Sequence, residues 1–160
     1  YLLKPLNSQE LKLILQKIEI RIREQQQEEK KLKLTTDDKN PVAIEAGVEN
    51  LPNGNKCIAV WVKIHTNYHI YGIVASVDPY IPTELKIEIP QGYQKVGELQ
   101  KPSFKALNDA GTTIYEDEVV FRQEIKGTGS GKVTCTMTYQ CCDNHICFPP
   151  TEKKMEVDLK

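Results

Sequence analysis

Val133-Thr-Cys-Thr-Met-Thr-Tyr139 is the run that decides the fold. Val133, Cys135, Met137 and Tyr139 share one face of an extended chain, and Thr134, Thr136 and Thr138 share the other. Period two, with threonines on one side and larger apolar groups on the other, describes a strand with one face in a core. Gly127-Thr-Gly-Ser-Gly131 in front of it is a flexible turn. Two other runs alternate in the same way. Met155, Val157 and Leu159 oppose Lys154, Glu156 and Asp158, while Leu85, Ile87 and Ile89 oppose Lys86 and Glu88. Cys57–Ile64, after the turn Pro52-Asn53-Gly54-Asn55, and Val119–Ile125 read as further strands. The stretch from Gly92 to Glu116 reads as a long loop. Many short, half-buried strands imply an all-β, antiparallel sandwich over residues 41–160.

Before residue 41 the pattern differs. From Asn7 to about Lys33 the chain lacks Gly and Pro, and Leu11, Ile14, Leu15, Ile18 and Ile22 recur at helical spacing. Asn7 with Glu10 resembles a capping box, and the apolar stripe fades into Gln25-Gln-Gln-Glu-Glu-Lys-Lys31. Residues 1–40 are therefore expected to form an N-terminal helical extension or linker. The 160 residues make one domain with an appendage, and 39% hydrophobic content is enough to bury a core without disulfides. A net charge of −1 and no patterned run of Lys and Arg argue against a nucleic-acid partner. No stretch approaches the roughly 18 consecutive apolar residues of a membrane span. The chain starts at Tyr1 without a methionine, so a fragment or processed product is expected, from which any signal peptide or anchor would be gone.

Three of the five cysteines fall in the connection between the last two strands: Cys141, Cys142 and Cys147. Cys142 and Cys147 enclose only Asp143-Asn-His-Ile146 and could bridge the mouth of that loop. As a staple such a bridge is poor. Loop closure yields roughly 2 kcal/mol for so small a ring, against about 4.5 for a ring of roughly eighty residues. At an exposed tip, however, it is open to an attacking thiolate, which is what exchange chemistry needs. Pro149-Pro150 stiffens the chain just afterwards and removes two amide donors.

The block Thr138-Tyr-Gln-Cys-Cys-Asp-Asn-His-Ile-Cys-Phe-Pro-Pro150 resembles the signature of the N-terminal periplasmic domain of the thiol:disulfide interchange protein DsbD. Trp61, Tyr68-His-Ile-Tyr71 and Pro90-Gln-Gly92 extend the similarity over roughly residues 42–160. The resemblance implies an immunoglobulin-like sandwich in the periplasm, possessed of no organic cofactor and no metal. It implies the electron-relay part of a protein-disulfide reductase, working through a reversible Cys142–Cys147 disulfide. Electrons would come from a membrane-embedded donor domain and pass to thioredoxin-like or disulfide isomerase proteins, with Cys147 forming the mixed disulfide. Tyr139, Phe148 and Pro149 would surround the pair. In the family a loop aromatic caps the cysteines and acidic residues lie nearby. The matching region, Glu98-Leu-Gln-Lys-Pro-Ser-Phe-Lys105, offers Phe104 as the cap and Glu98 as the acid.

The sequence departs from the family at Cys141, where a small residue is more usual, and a Cys141–Cys147 pair would restore a longer loop. Strand parity favours Cys142: continuing the phase of Tyr139 turns Cys141 inward and Cys142 outward. A bulge would exchange the two roles. Cys135, in phase with Val133 and Met137, is expected to be a buried, inert thiol, with a Cys57–Cys135 bridge as the alternative. Trp61 and the tyrosines at 68 and 71 read as packing. Two other function classes compete. Cys141, Cys142, His145 and Cys147 could form a zinc or Cu(I) site, although adjacent cysteines suit one tetrahedron badly. Tyr139-Gln-Cys141 could belong to a non-catalytic immunoglobulin-type adhesion module with Cys57 as its partner cysteine, although Trp61 follows Cys57 too closely.

Overall fold

In the computed structural model the described residues are 12, 15–17 and 34–159. The helix expected over residues 7–33 lies mostly outside them; residues 12 and 15–17 are helical. Eleven strands follow: β1 (Val42–Asn50), β2 (Lys56–Ile64), β3 (His69–Tyr71), β4 (Glu84–Glu88), β5 (Tyr93–Gln100), β6 (Lys105–Ala106), β7 (Thr113–Tyr115), β8 (Glu118–Gly127), β9 (Gly131–Tyr139), β10 (Cys141–Cys142) and β11 (Thr151–Leu159). Their ladders are antiparallel and form three sheets, ordered β1-β2-β8-β5, β11-β9-β4 and β10-β3-β7-β6.

The first two sheets face each other across the core, as their alternation requires. Ile58, Val60, Val62 and Ile64 of β2 meet Val133, Cys135, Met137 and Tyr139 of β9, with Ile125, Phe121 and Leu159 filling between them. β2 is buried on both faces. Its other side sets Ala59 and Trp61 against Leu34, Ala43 and Val120, so Trp61 packs outside the central core. Lys63 Nζ donates to the Leu34 carbonyl and Thr36 Oγ1 lies 3.0 Å from His65 Nδ1, which holds the segment before β1 on this outer face.

The stretch from Gly92 to Glu116 is not one loop: it holds β5, β6 and β7. β5 is an edge strand, mostly exposed, with its register on β8 shifting between Val96 and Gln100 around Gly97, whose φ is +69°. An edge strand wetted on both faces carries no hydrophobic alternation to read. β7 is wholly buried but only three residues long, too short for a period to show. No disulfide joins Cys57 to Cys135. The alternative bridge between them is excluded because Cys135 points into the core, while Cys57, in phase with Ala59 and Trp61, points to the far side of β2.

Candidate functional site

The site is built where one strand changes sheets. β9 ends at Tyr139 on β11 and β4, and after Gln140 the chain continues as β10 against β3, pairing Cys141 with Ile70 and Cys142 with His69. Gln140 pins this crossover: its Nε2 donates to the Phe148 carbonyl and its Oε1 accepts from the Ile81 amide. Cys142 then pairs with Cys147 across a tight hairpin. The flanking backbone bonds, Asp143 N to Ile146 O and Phe148 N to Cys141 O, leave Cys142 and Cys147 as a non-hydrogen-bonded pair, the kind whose side chains lie closest. Their Cα atoms are 4.0 Å apart and a disulfide joins them. Asp143 shapes the tip by accepting on Oδ1 from the amides of His145 and Ile146. Those amides, Ile146 first, hold its carboxyl below the usual carboxylate range.

Between the Tyr139–Thr151 and Cys142–Cys147 pairs, Gln140 and Cys141 face three residues: Phe148, Pro149 and Pro150. The extra residue therefore sits on the returning strand, at the prolines that cannot extend the ladder. The phase of β9 runs unbroken into the cysteines. Cys141 joins Tyr139 in the central core, and Cys142 turns to the opposite face, among Tyr71 and Ile114 with Val74 and Tyr80 packed on them. That face is not open to solvent: Cys142 is 1% exposed, whereas Cys147 is exposed. Burial pushes the Cys141 thiol up to about 11, against a lowering backbone bond from His69, and does the same to Cys135. At neutral pH both are protonated and shielded, and Cys141 is no nucleophile.

Beside Cys147 lies a groove of about 260 Å³ walled by His69, Tyr71, Tyr80, Leu107, His145 and Ile146. Tyr71 and Tyr80 stack with ring centres 4.3 Å apart. Burial first, then neighbouring Tyr80, raises Tyr71 to about 12. His69 Nε2 lies 3.0 Å from Tyr71 Oη. The arrangement is a disulfide with one sulfur under an aromatic layer and one at the surface.

The profile of the family described as thiol:disulfide interchange protein DsbD, N-terminal, matches residues 26–159. The chain belongs to the DsbD N-terminal family. Among solved structures, the complex of the DsbD and PilB N-terminal domains from Neisseria meningitidis aligns at TM-score 0.51 and 18% identity, covering 77% of this chain and 90% of that one. The reduced DsbD N-terminal domain of the same organism gives 0.49 and 17%, with 75% and 86% covered. The N-terminal periplasmic domain of ScsB from Proteus mirabilis gives 0.47 and 20%, with 78% and 49% covered. No curated relative matches the chain. Family and architecture thus agree with the immunoglobulin-like, antiparallel, thiol–disulfide interchange reading of the sequence.

Set against the DsbD pattern, the expected residues separate. Tyr139 is in the core below Cys141, with Lys153 Nζ 5.8 Å from its ring centre. Phe148 is half-buried against Tyr68, ring centres 6.1 Å apart, and Pro149 is exposed with its carbonyl accepting from Thr151 Oγ1. Phe104 is 58% exposed and lines a different groove, with Leu99, Pro102, Ile87 and Tyr115, which contains no cysteine. Glu98 is exposed on β5 and lines neither groove. It is Leu107, two residues beyond that stretch, that lines the groove beside Cys147. Tyr80 and Leu107 had no signal in the sequence, since their roles are contacts with residues far along the chain; Gln140 stands in the cysteine block, but its pinning role shows only in its bonds to Ile81 and Phe148.

The competing readings lose their geometry. Cys141 and Cys142 point to opposite faces, and among the described residues no three His, Cys, Asp or Glu groups are disposed to hold a metal ion. No disulfide of the adhesion type joins Cys57 to Cys141. Among the described residues no helix is long and apolar enough to cross a membrane.

Proposed function

We infer that this domain relays electrons through reversible oxidation of the Cys142–Cys147 pair. The observation that carries the reading is the asymmetry of the pair, with Cys147 exposed and Cys142 beneath Tyr71. A thiolate needs an in-line approach to the sulfur it attacks, so Cys147 is the atom that exchanges with other proteins and Cys142 is the internal partner that releases them. The setting is periplasmic, where disulfides form and persist. A membrane-embedded domain supplies the electrons, and thioredoxin-like or disulfide isomerase proteins take them. The Neisseria complex supports a protein partner on this fold. Excess reduced thioredoxin, with a potential of about −270 mV, is expected to open the bridge, read as two newly alkylatable thiols by mass. A bridge that survives equilibration would sink the relay role.

The stretch from Glu98 to Leu107 is proposed as a cover over the pair, with Leu107 rather than Phe104 as the side chain that shields Cys147. Alkylation of the reduced protein at Cys147 is expected to be several-fold faster in Leu107→Ala and unchanged in Phe104→Ala. If Leu107→Ala also leaves the rate unchanged, this stretch covers nothing.

A further inference from the structure

The relay needs Cys142 to act as a nucleophile from a buried position, and burial opposes that. A thiol packed among Tyr71, Ile114, Val74 and Tyr80 cannot ionise cheaply, because a thiolate there would lose its hydration. Its proton must leave as the sulfur attacks, so a neighbouring acceptor is required.

The register supplies one. Cys142 is directly paired with His69 across β10 and β3, and paired residues project to the same face with Cβ atoms about 4.5–5.5 Å apart. Tyr71, two residues on, shares that face and bonds His69 Nε2. Ile114, paired with Tyr71, completes it. His69 is 8% exposed and also borders the groove at Cys147, so it lies beside the pair as a whole.

Resting on the relay reading, we propose that His69 is the proton acceptor for Cys142 when it resolves a mixed disulfide at Cys147. With Nε2–H donated to Tyr71 Oη, the lone pair is on Nδ1. The Cys142 thiol passes its proton to the imidazole while its sulfur attacks Cys147 Sγ. The Cys142–Cys147 bond forms, the bond from Cys147 to the partner breaks, and the partner sulfur leaves as a thiolate carrying the electron pair. Cys142 is oxidised and the partner is reduced; the reverse sequence returns the proton to Cys142 as the domain is recharged. The other titratable groups around His69 are Tyr71, Tyr80, Cys147, Glu116, Asp143 and His145, while Cys141 meets only its backbone. Burial lowers the His69 pKa, with Glu116 and Asp143 pulling the other way, so the ring is neutral and able to accept at pH 7.

The closing step can be timed alone. One equivalent of dithiobis(nitrobenzoate) added to the reduced domain releases a first thionitrobenzoate as Cys147 is capped and a second as Cys142 closes the bridge. In the wild type the second rate is expected to be flat from neutral pH until the thiol range. In His69→Gln it is expected to fall about 100-fold at pH 7 and to climb about tenfold per pH unit, with the first release timed separately. A second rate in His69→Gln equal to that of the wild type overturns the proposal. Should that variant not fold, the wild-type profile decides: a rate climbing with hydroxide from pH 6 to 9 overturns it as well. Failure of the relay reading looks different, because both releases would still occur while reduced thioredoxin left the re-formed bridge closed.

Discussion

Cys142→Ser is expected to lose the labile bridge altogether, whereas Cys141→Ser keeps it. The two sulfurs are neighbours in sequence, yet they lie on opposite faces of one strand, and only Cys142 is on the face that meets Cys147. For Cys141 to take over, β10 would have to slip by one residue. That would turn Cys141 out of the core and Cys142 into it, against the phase that Tyr139 sets one turn of the pleat earlier. Cys141 is in any case a poor nucleophile, its thiol raised to about 11 by burial. The measurement is trapping: reduced Cys142→Ser incubated with an oxidised thioredoxin-like protein should accumulate a covalent complex at Cys147, because nothing internal displaces the partner. Cys141→Ser should accumulate none. A hydroxyl at the Cys141 position adds a buried polar group and costs about 1–3 kcal/mol, so Cys141→Ala serves as the cleaner control. If the bridge disappears only in the Cys141 variants, the longer loop is the working one.

Met137→Ala is expected to be the most damaging single truncation away from the hairpin. Met137 is fully buried at the centre of β9, paired with Leu85 on one side and Lys153 on the other, and faces the β2 side chains across the core. Removing its side chain leaves a cavity that strands on both flanks keep from collapsing, at a cost of about 2–5 kcal/mol. For a domain of this size that lowers Tm on the order of 10 °C, measured by thermal denaturation of the oxidised protein. Phe104→Ala removes a larger side chain but an exposed one, and should stay within about 0.5 kcal/mol of the wild type. Comparable losses in the two variants would mean that the core does not run through β9.

The all-β class and the strands β2, β4, β8, β9 and β11 were legible in the sequence because alternation is local: each residue's face follows from its neighbours' spacing alone. The same parity argument separated Cys141 from Cys142, and it holds because the extra residue fell on the Pro149-Pro150 strand rather than on β9. Parity could say that Cys142 leaves the core but not what meets it there. The outward face reads as solvent in a sequence, whereas here Tyr71, Tyr80 and Ile114 cover it. Those residues come from distant segments, and only the change of sheets at Gln140 brings them over the sulfur. For the same reason the family resemblance offered Phe104 as a cap, whereas Leu107 is the side chain at the groove by position. The residues determined which sulfurs could pair; the packing of non-local strands decided which of them is shielded, which is exposed and that His69 lies beside them.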